Sequence, residues 1–198
     1  MITIKSVTGI YDENDQLLLL ATLTADNPLM GAIFLLGVVS GLRISDLLAI
    51  RMGDISQSFE VREGKTGKRK IISMCDDTWG FLRMFVEMRR DYGVSDDAPL
   101  FSTTRQTVHR YFKRVAVDLG LDNIGTHSMR KTYAYNVLRV TKSVFCTRDA
   151  LNHTNVTTTL GYLAGGLEEL LNCHYGDSVP VMAPSVEVLD SASPSVLE

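Results

Sequence analysis

Residues 28–48 read PLMGAIFLLGVVSGLRISDLL. The run from Pro28 to Ser40 is almost wholly apolar, with proline at its start and Gly41 at its end, which predicts a buried helix closed by a C-terminal glycine. Directly behind it stands the polar segment Gly41-Leu42-Arg43-Ile44-Ser45-Asp46-Leu47-Leu48. Ser45-Asp46 reads as the start of a short helix, Leu47 to Arg51.

Working outward, Asp15 to Thr24 reads as a helix ahead of the apolar one. Ser58 to Arg62 and Lys68 to Met74 are strand-like runs around Glu63-Gly64-Lys65-Thr66-Gly67, whose two glycines suit a tight hairpin. Helical spacing resumes at Asp76-Asp77, continues through about Thr104 to Leu119 and Thr126 to Leu138, and ends in short helices near Ser143–Leu151 and Asn155–Leu163. In the helix from Thr104, Val108, Tyr111, Phe112, Val115 and Leu119 line one side, and Arg105, His109, Arg110, Lys113 and Arg114 lie largely off it. Leu167 to Leu171 follows a Gly165-Gly166 hinge as a short apolar helix, and residues 177–198 turn to Ser, Pro, Val and acids, the composition of a tail without a core. The expected fold class is α+β, mainly α with one small antiparallel β-sheet.

The 198 residues suit one globular domain, and 45% hydrophobic with 22% charged residues is close to the soluble average. No apolar run reaches the ~18 residues needed to span a bilayer, and no secretory signal opens the chain, so a cytoplasmic protein without membrane association is expected. Cys75, Cys146 and Cys173 share no CxxC spacing, and the four histidines lack an HExxH pair, so neither a disulfide framework nor a metal site is indicated. The net charge of −3 argues on its face against a nucleic-acid partner. Its distribution argues otherwise. Residues 51–148 hold 18 Lys/Arg against 11 Asp/Glu, a balance of +7, whereas everything after Arg148 lacks Lys and Arg and carries seven acids. A polyanion responds to the local field, because charges beyond ~8 Å are largely screened in physiological salt.

Four segments stand out as an ordered set: the Arg43 box, Gly64-Lys65-Thr66-Gly67, His127-Ser128-Met129-Arg130, and Leu151-Asn152-His153 with Tyr162 nine residues beyond. Singly, each has a plain structural explanation. Arg43 can cap a helix end, Lys65 can be a solvated turn residue, and His127 with Arg130 can form a surface pair with an acid. Together, from about Ile10 to Leu163, they resemble the catalytic domain of the tyrosine recombinase (phage integrase) family. Arg43 sits in that family's G-L-R-x-S-E/D-L box, Lys65 in its lysine hairpin, His127 and Arg130 in H-x-x-R, His153 in the box usually written L-G-H, and Tyr162 at the nucleophile spacing.

The resemblance implies attack by the Tyr162 hydroxyl on a DNA phosphodiester, giving a 3′-phosphotyrosyl intermediate and a free 5′-hydroxyl. Arg43 and Arg130 would hold the non-bridging oxygens, and Lys65 would protonate the departing 5′-oxygen. His127 would accept or relay the tyrosine proton, and His153 would donate to a phosphate oxygen. Asp46 would buttress this network, and no metal or other cofactor is implied. Lys68, Arg69, Arg105, Arg110, Lys113 and Arg114 are candidates for DNA-backbone contacts. The implied partners are double-stranded DNA carrying specific recombination sites and further copies of the chain in a tetrameric synapse. A type IB topoisomerase-like relaxing enzyme, or a non-catalytic DNA-binding regulator of the same fold, are the alternative readings.

Two positions depart from the family pattern: Lys131 where many members have histidine, and Asn152 where glycine is common. The expected layout is a catalytic domain over 1–176, including the short helix at about 167–172 docking in cis or in trans, and the acidic tail. Most members also carry an N-terminal helical domain of roughly 80–100 residues. About nine residues precede the matched region here, so no such core-binding domain is expected, and the chain is either a natural single-domain protein or an excised catalytic fragment.

Overall fold

The computed structural model describes residues 7–164, so the expected helix at about 167–172 and the tail lie outside the described residues. The chain runs through α1 (Glu13–Asp26), α2 (Pro28–Ser40), α3 (Ile44–Leu47), β1 (Ser58–Arg62), β2 (Arg69–Ser73), α4 (Asp76–Asp91), α5 (Arg105–Asp118), α6 (Thr126–Thr141), α7 (Val144–Ala150) and α8 (Val156–Leu163). This is the expected mainly helical α+β fold. Among the described residues, no helix is long and apolar enough to cross a membrane.

The helix starts follow local chemistry. Asp12 accepts from the Asp15 amide to cap α1, and Asn27 ends α1 and caps α2 by accepting from Leu29 N at 3.1 Å. Pro28 opens α2, whose residues Met30 to Ser40 are all buried. Around this central helix pack α1, α4, α5 and α6. Phe34 meets Phe112 edge to face, and Val108, Phe112, Val115 and Ala116 form the buried stripe of α5. A second, smaller core of Tyr133, Ala134, Val137, Leu138, Leu151 and Leu163 holds α7 and α8 against α6. That cluster sets the position of everything on the α7–α8 segment.

One expected element differs. The helix read as Leu47 to Arg51 is instead α3, Ile44–Leu47, with extended Arg43 before it. The Asp46 carboxylate does not cap that helix; its Oδ1 accepts the Gly64 amide at 3.1 Å. Beyond α3 the backbone is drawn into pairing with residues 98–100, through Leu100 N to Ile50 O at 2.8 Å and Met52 N to Ala98 O at 2.9 Å. Those bonds compete with the helical ladder and win. The hairpin is antiparallel with Val61 opposite Lys70 and Arg62 opposite Arg69. Its turn places Gly67 at φ +67°, while Gly64 lets the backbone approach Asp46.

Gly41 combines two backbone constraints. It sits at φ +62°, and a Cβ there would lie 2.2 Å from the Tyr133 ring. Gly41→Ala should therefore lower stability by about 2 kcal/mol or more, from left-handed strain plus overpacking. Gly120→Ala, also at positive φ but facing open space, carries the strain alone. Urea unfolding of both variants should show the larger loss for Gly41→Ala; equal losses would mean that the Tyr133 contact imposes no constraint.

Candidate active site

The site forms where α2 ends, the hairpin begins, and α6, α7 and α8 converge. Extended backbone at Arg43 turns its side chain back toward the hairpin. There its Nη1 lies 2.9 Å from Glu63 Oε2 and 3.9 Å from Asp46 Oδ2. Glu63 follows β1 and is fully buried. The Thr66 hydroxyl donates to Glu63 Oε2 at 2.8 Å. Burial alone would raise the Glu63 carboxyl, but the Thr66 hydrogen bond and the two guanidiniums, Arg43 and Arg130, outweigh it and hold the group below its ordinary value.

Arg130 is only 1% exposed. Its Nη1 donates to Gly41 O and lies 3.6 Å from Glu63 Oε1, and its Nη2 donates to Leu151 O at 2.6 Å. The reading of Arg130 as half of a surface pair is thus wrong, because the acid it meets is inside the protein. Tyr162 lies close enough to Arg130 to favour the charged guanidinium. Desolvation first, and the neighbouring Arg43 next, loosen the proton of Arg130, while Glu63 and Tyr162 oppose that shift.

His153 completes the cluster. Its ring packs against Tyr162 in a T-shaped contact with centroids 5.1 Å apart, and its Nδ1 is 3.1 Å from Thr159 Oγ1. Burial, then the charges of Arg130 and Arg43, lower its pKa to about 4, so the imidazole is neutral at physiological pH. Asn152, the departure from glycine before it, adopts φ +54°. Asparagine tolerates that left-handed conformation better than other side chains, so the turn keeps its shape. The other departure, Lys131, points away from this cluster and donates to Val7 O at 2.6 Å.

Arg43, Arg130, His153 and Tyr162 are therefore brought together, with Asp46 at their edge. His127 stands on the first turn of α6, and partial desolvation followed by the charges of Arg105, Arg130, Lys131 and Arg43 lowers its pKa. Lys65 stands exposed in the hairpin turn; among the described residues no hydrogen bond or ion pair holds its ammonium. Of the basic candidates, Arg105, Arg110 and Lys113 are exposed on α5. Lys68 Nζ donates to Asn152 O at 3.3 Å, and Arg69 pairs with Glu60 at 3.5 Å. Arg114 is engaged by Asp26 at 2.6 Å and lies over the Tyr111 ring.

Two charged residues in this region went unread from the sequence, Glu63 and Lys70. Both fall on the inner face of the hairpin by the two-residue period that also buries Phe59 and Ile72. That periodicity was the available signal: a charge at an inward position asks for a partner. Lys70 Nζ donates to Ala150 O at 2.6 Å and sits over the Tyr133 ring at 4.5 Å.

Comparison with known proteins places this geometry in a family. Residues 11–166 match the phage integrase family, and the chain belongs to it. It is 28% identical over 146 residues to the probable integrase/recombinase YoeC of Bacillus subtilis, covering 69% of this chain and 77% of that protein. It is 29% identical over 136 residues to the tyrosine recombinase XerA of Saccharolobus solfataricus, covering 67% of this chain and 45% of that protein. Beyond YoeC, therefore, the chain spans about half the length of a curated relative it matches. A crystal structure of XerA recombinase superposes with TM-score 0.70 at 20% identity, covering 90% of this chain and 67% of that one. A lambda integrase tetramer bound to a Holliday junction superposes with TM-score 0.60 at 19% identity, covering 81% of this chain and 49% of that one.

The burial of Lys70 has a measurable consequence. Desolvation first, then Arg130 and Arg43, lower its pKa from 10.5 to about 7, with Glu63 opposing. Between those values the unfolded chain binds more protons than the folded one, so this group makes stability rise with pH. Its limiting contribution to the slope is about 1.4 kcal/mol per pH unit. Urea unfolding of wild type and Lys70→Met across that window should show a positive slope in wild type that the variant lacks. Parallel slopes would mean that Lys70 is not held in this way.

Proposed function

We propose that this chain is a site-specific DNA recombinase that cleaves and rejoins duplex DNA through a covalent bond to Tyr162. The observation that carries the reading is the convergence of Arg43 and the buried Arg130 on one carboxylate, with Tyr162 packed against His153 beside them and close enough to Arg130 to interact with its charge. A nucleophilic oxygen is thereby held at a site of concentrated positive charge, the environment a scissile phosphate requires.

In the first step the Tyr162 oxygen attacks phosphorus, the bond to the 5′-oxygen breaks, and a 3′-phosphotyrosyl ester forms with a free 5′-hydroxyl. A 5′-hydroxyl from a partner strand reverses the reaction, so bond energy is conserved and the chemistry calls on no nucleotide cofactor. Arg43 and Arg130 stabilise charge on the non-bridging oxygens; deleting such a donor costs roughly 10²–10³ in rate by analogy with oxyanion holes. Neutral His153, with Nδ1 directed to Thr159, presents its other nitrogen to a phosphate oxygen. His127 takes the tyrosine proton, and Lys65, reaching in from the exposed turn, gives one to the leaving 5′-oxygen.

Lys68, Arg69, Arg105, Arg110 and Lys113 take backbone phosphates, and Arg114 joins them only by leaving Asp26. Several copies assemble on DNA, a reading supported by the lambda integrase tetramer on a Holliday junction. Work on DNA fits a cytoplasmic location.

A nicked suicide duplex, from which the downstream fragment diffuses after cleavage, tests the reading. Wild type should form a denaturation-resistant protein–DNA adduct. Tyr162→Phe should form none, and Arg43→Ala should form it about 10²–10³-fold more slowly. An adduct that survives Tyr162→Phe would overturn the assignment. Relaxation of supercoiled DNA irrespective of sequence would favour the topoisomerase alternative.

A further inference from the structure

We infer that Glu63 is a positioning residue for the reaction: one buried carboxylate that fixes both phosphate-binding guanidiniums and ties them to the lysine hairpin. The inference rests on the proposed role of Arg43 and Arg130 as phosphate ligands. Its support is geometric. Oε2 takes Arg43 Nη1 at 2.9 Å and the Thr66 hydroxyl at 2.8 Å, and Oε1 faces Arg130 Nη1 at 3.6 Å. The carboxylate is fully buried, so it stands behind the guanidiniums rather than in the solvent-facing space a phosphate would enter.

The arrangement answers a physical difficulty. Two guanidiniums that must converge on one phosphate repel each other, and at Arg130 the neighbouring Arg43 is the largest electrostatic influence after burial. An anion between them permits convergence before any DNA arrives. Its placement also decides which hydrogens are left for the substrate: those of Arg43 that are not spent on Glu63 remain at the partly exposed end of the side chain. Through Thr66, one residue beyond Lys65, the same carboxylate sets the register of the hairpin turn. Glu63 also anchors that turn through its backbone, with its N–H donating to Lys68 O at 2.9 Å and its carbonyl accepting from Gly67 N at 2.8 Å. Asp46 braces the turn from the other side through the Gly64 amide. Arginine forks and lysine turn are thus referred to one shared acid.

The test separates positioning from simple attraction and from folding. Glu63→Gln keeps the shape and an acceptor oxygen but loses the charge; Glu63→Asp keeps the charge and shortens the reach. Single-turnover adduct formation on the suicide duplex is measured at saturating protein, with DNA affinity measured in a Tyr162→Phe background. Fully folded samples are ensured by urea melts. Glu63→Gln should slow adduct formation about 10–100-fold, the size of effect that misplacement by about an ångström produces, while DNA affinity stays unchanged or tightens. Glu63→Asp should recover part of the rate. In the free protein, the guanidinium NMR lines of Arg43 should show slow Nη rotation in wild type and fast rotation in Glu63→Gln, whereas those of Arg130, still held by the Gly41 and Leu151 carbonyls, should stay slow in both.

Adduct formation within twofold of wild type by Glu63→Gln overturns the inference. So does a rate loss matched by an equal affinity loss with unchanged guanidinium lines. Absence of any adduct from wild type, with the NMR difference intact, instead sinks the recombinase reading and leaves Glu63 as a purely structural ion-pair partner.

Discussion

The guanidinium of Arg130 is almost completely buried, and most of what surrounds the site is arranged to make that burial tolerable. An unpaired charge in the interior is costly enough that breaking one partner from a buried pair typically loses about 3–5 kcal/mol. Here the partners come from distant parts of the chain: the Gly41 carbonyl at the end of α2, the Leu151 carbonyl after α7, and the Glu63 carboxylate after β1. Satisfying one side chain therefore fixes three segments relative to α6. Gly41 is held to its left-handed conformation by this geometry as well as by the Tyr133 ring, because its carbonyl must point inward. Fold and site share a constraint.

The same cluster explains how a chain of negative net charge concentrates positive charge at one place. The net charge of −3 is a sum over the whole chain, whereas a bound anion responds to the charges within about a screening length of it. At the site itself, Arg43, Arg130 and Lys70 gather near Glu63, with Asp46 beside Arg43, and their neighbours respond to the resulting field. His127 and His153 both lose proton affinity, with Arg130 and Arg43 among the causes in each case. A field already in place needs no reorganisation when negative charge develops, which is where electrostatic catalysis draws its advantage. His153 gains a second property from it: being neutral, it keeps one nitrogen for Thr159 and one for a ligand.

Much of this could be read directly from the chain. The apolar period located α2, and Pro28 and Gly41 marked its ends. The hairpin and the later helices followed from changes of period, and the ordered motifs named the residues that the structure gathers around Arg130. What stayed hidden depended on long-range pairing. Arg114 looks like any solvated cation on a helix, and only folding brings Asp26 to it from α1. The Leu47–Arg51 helix failed because its backbone found partners near residue 99, which local propensity cannot anticipate. Glu63 and Lys70 were visible as inward positions of a strand pair, yet their meaning required knowing that Arg130 lies beneath them.

That placement bears on why the hairpin can serve the site at all. An isolated two-stranded hairpin is marginally stable in water, since it has too little apolar surface to hold itself in place. β1 and β2 contribute Phe59 and Ile72 to the core, and the end nearest the turn is docked by polar contacts instead. Glu63 reaches the arginines, Lys70 reaches Ala150 O, and Lys68 with Asn152 ties β2 to the turn that carries His153. These contacts are directional, whereas apolar docking would leave the hairpin able to slide or tilt. The exposed Lys65 turn is consequently short and tethered on both sides, by Asp46 at Gly64 and by Asn152 at Lys68. A side chain carried there, such as Lys65, can swing while the base of the turn stays registered to the arginines. The polar docking that makes the hairpin an unlikely piece of core is what lets it act as an arm.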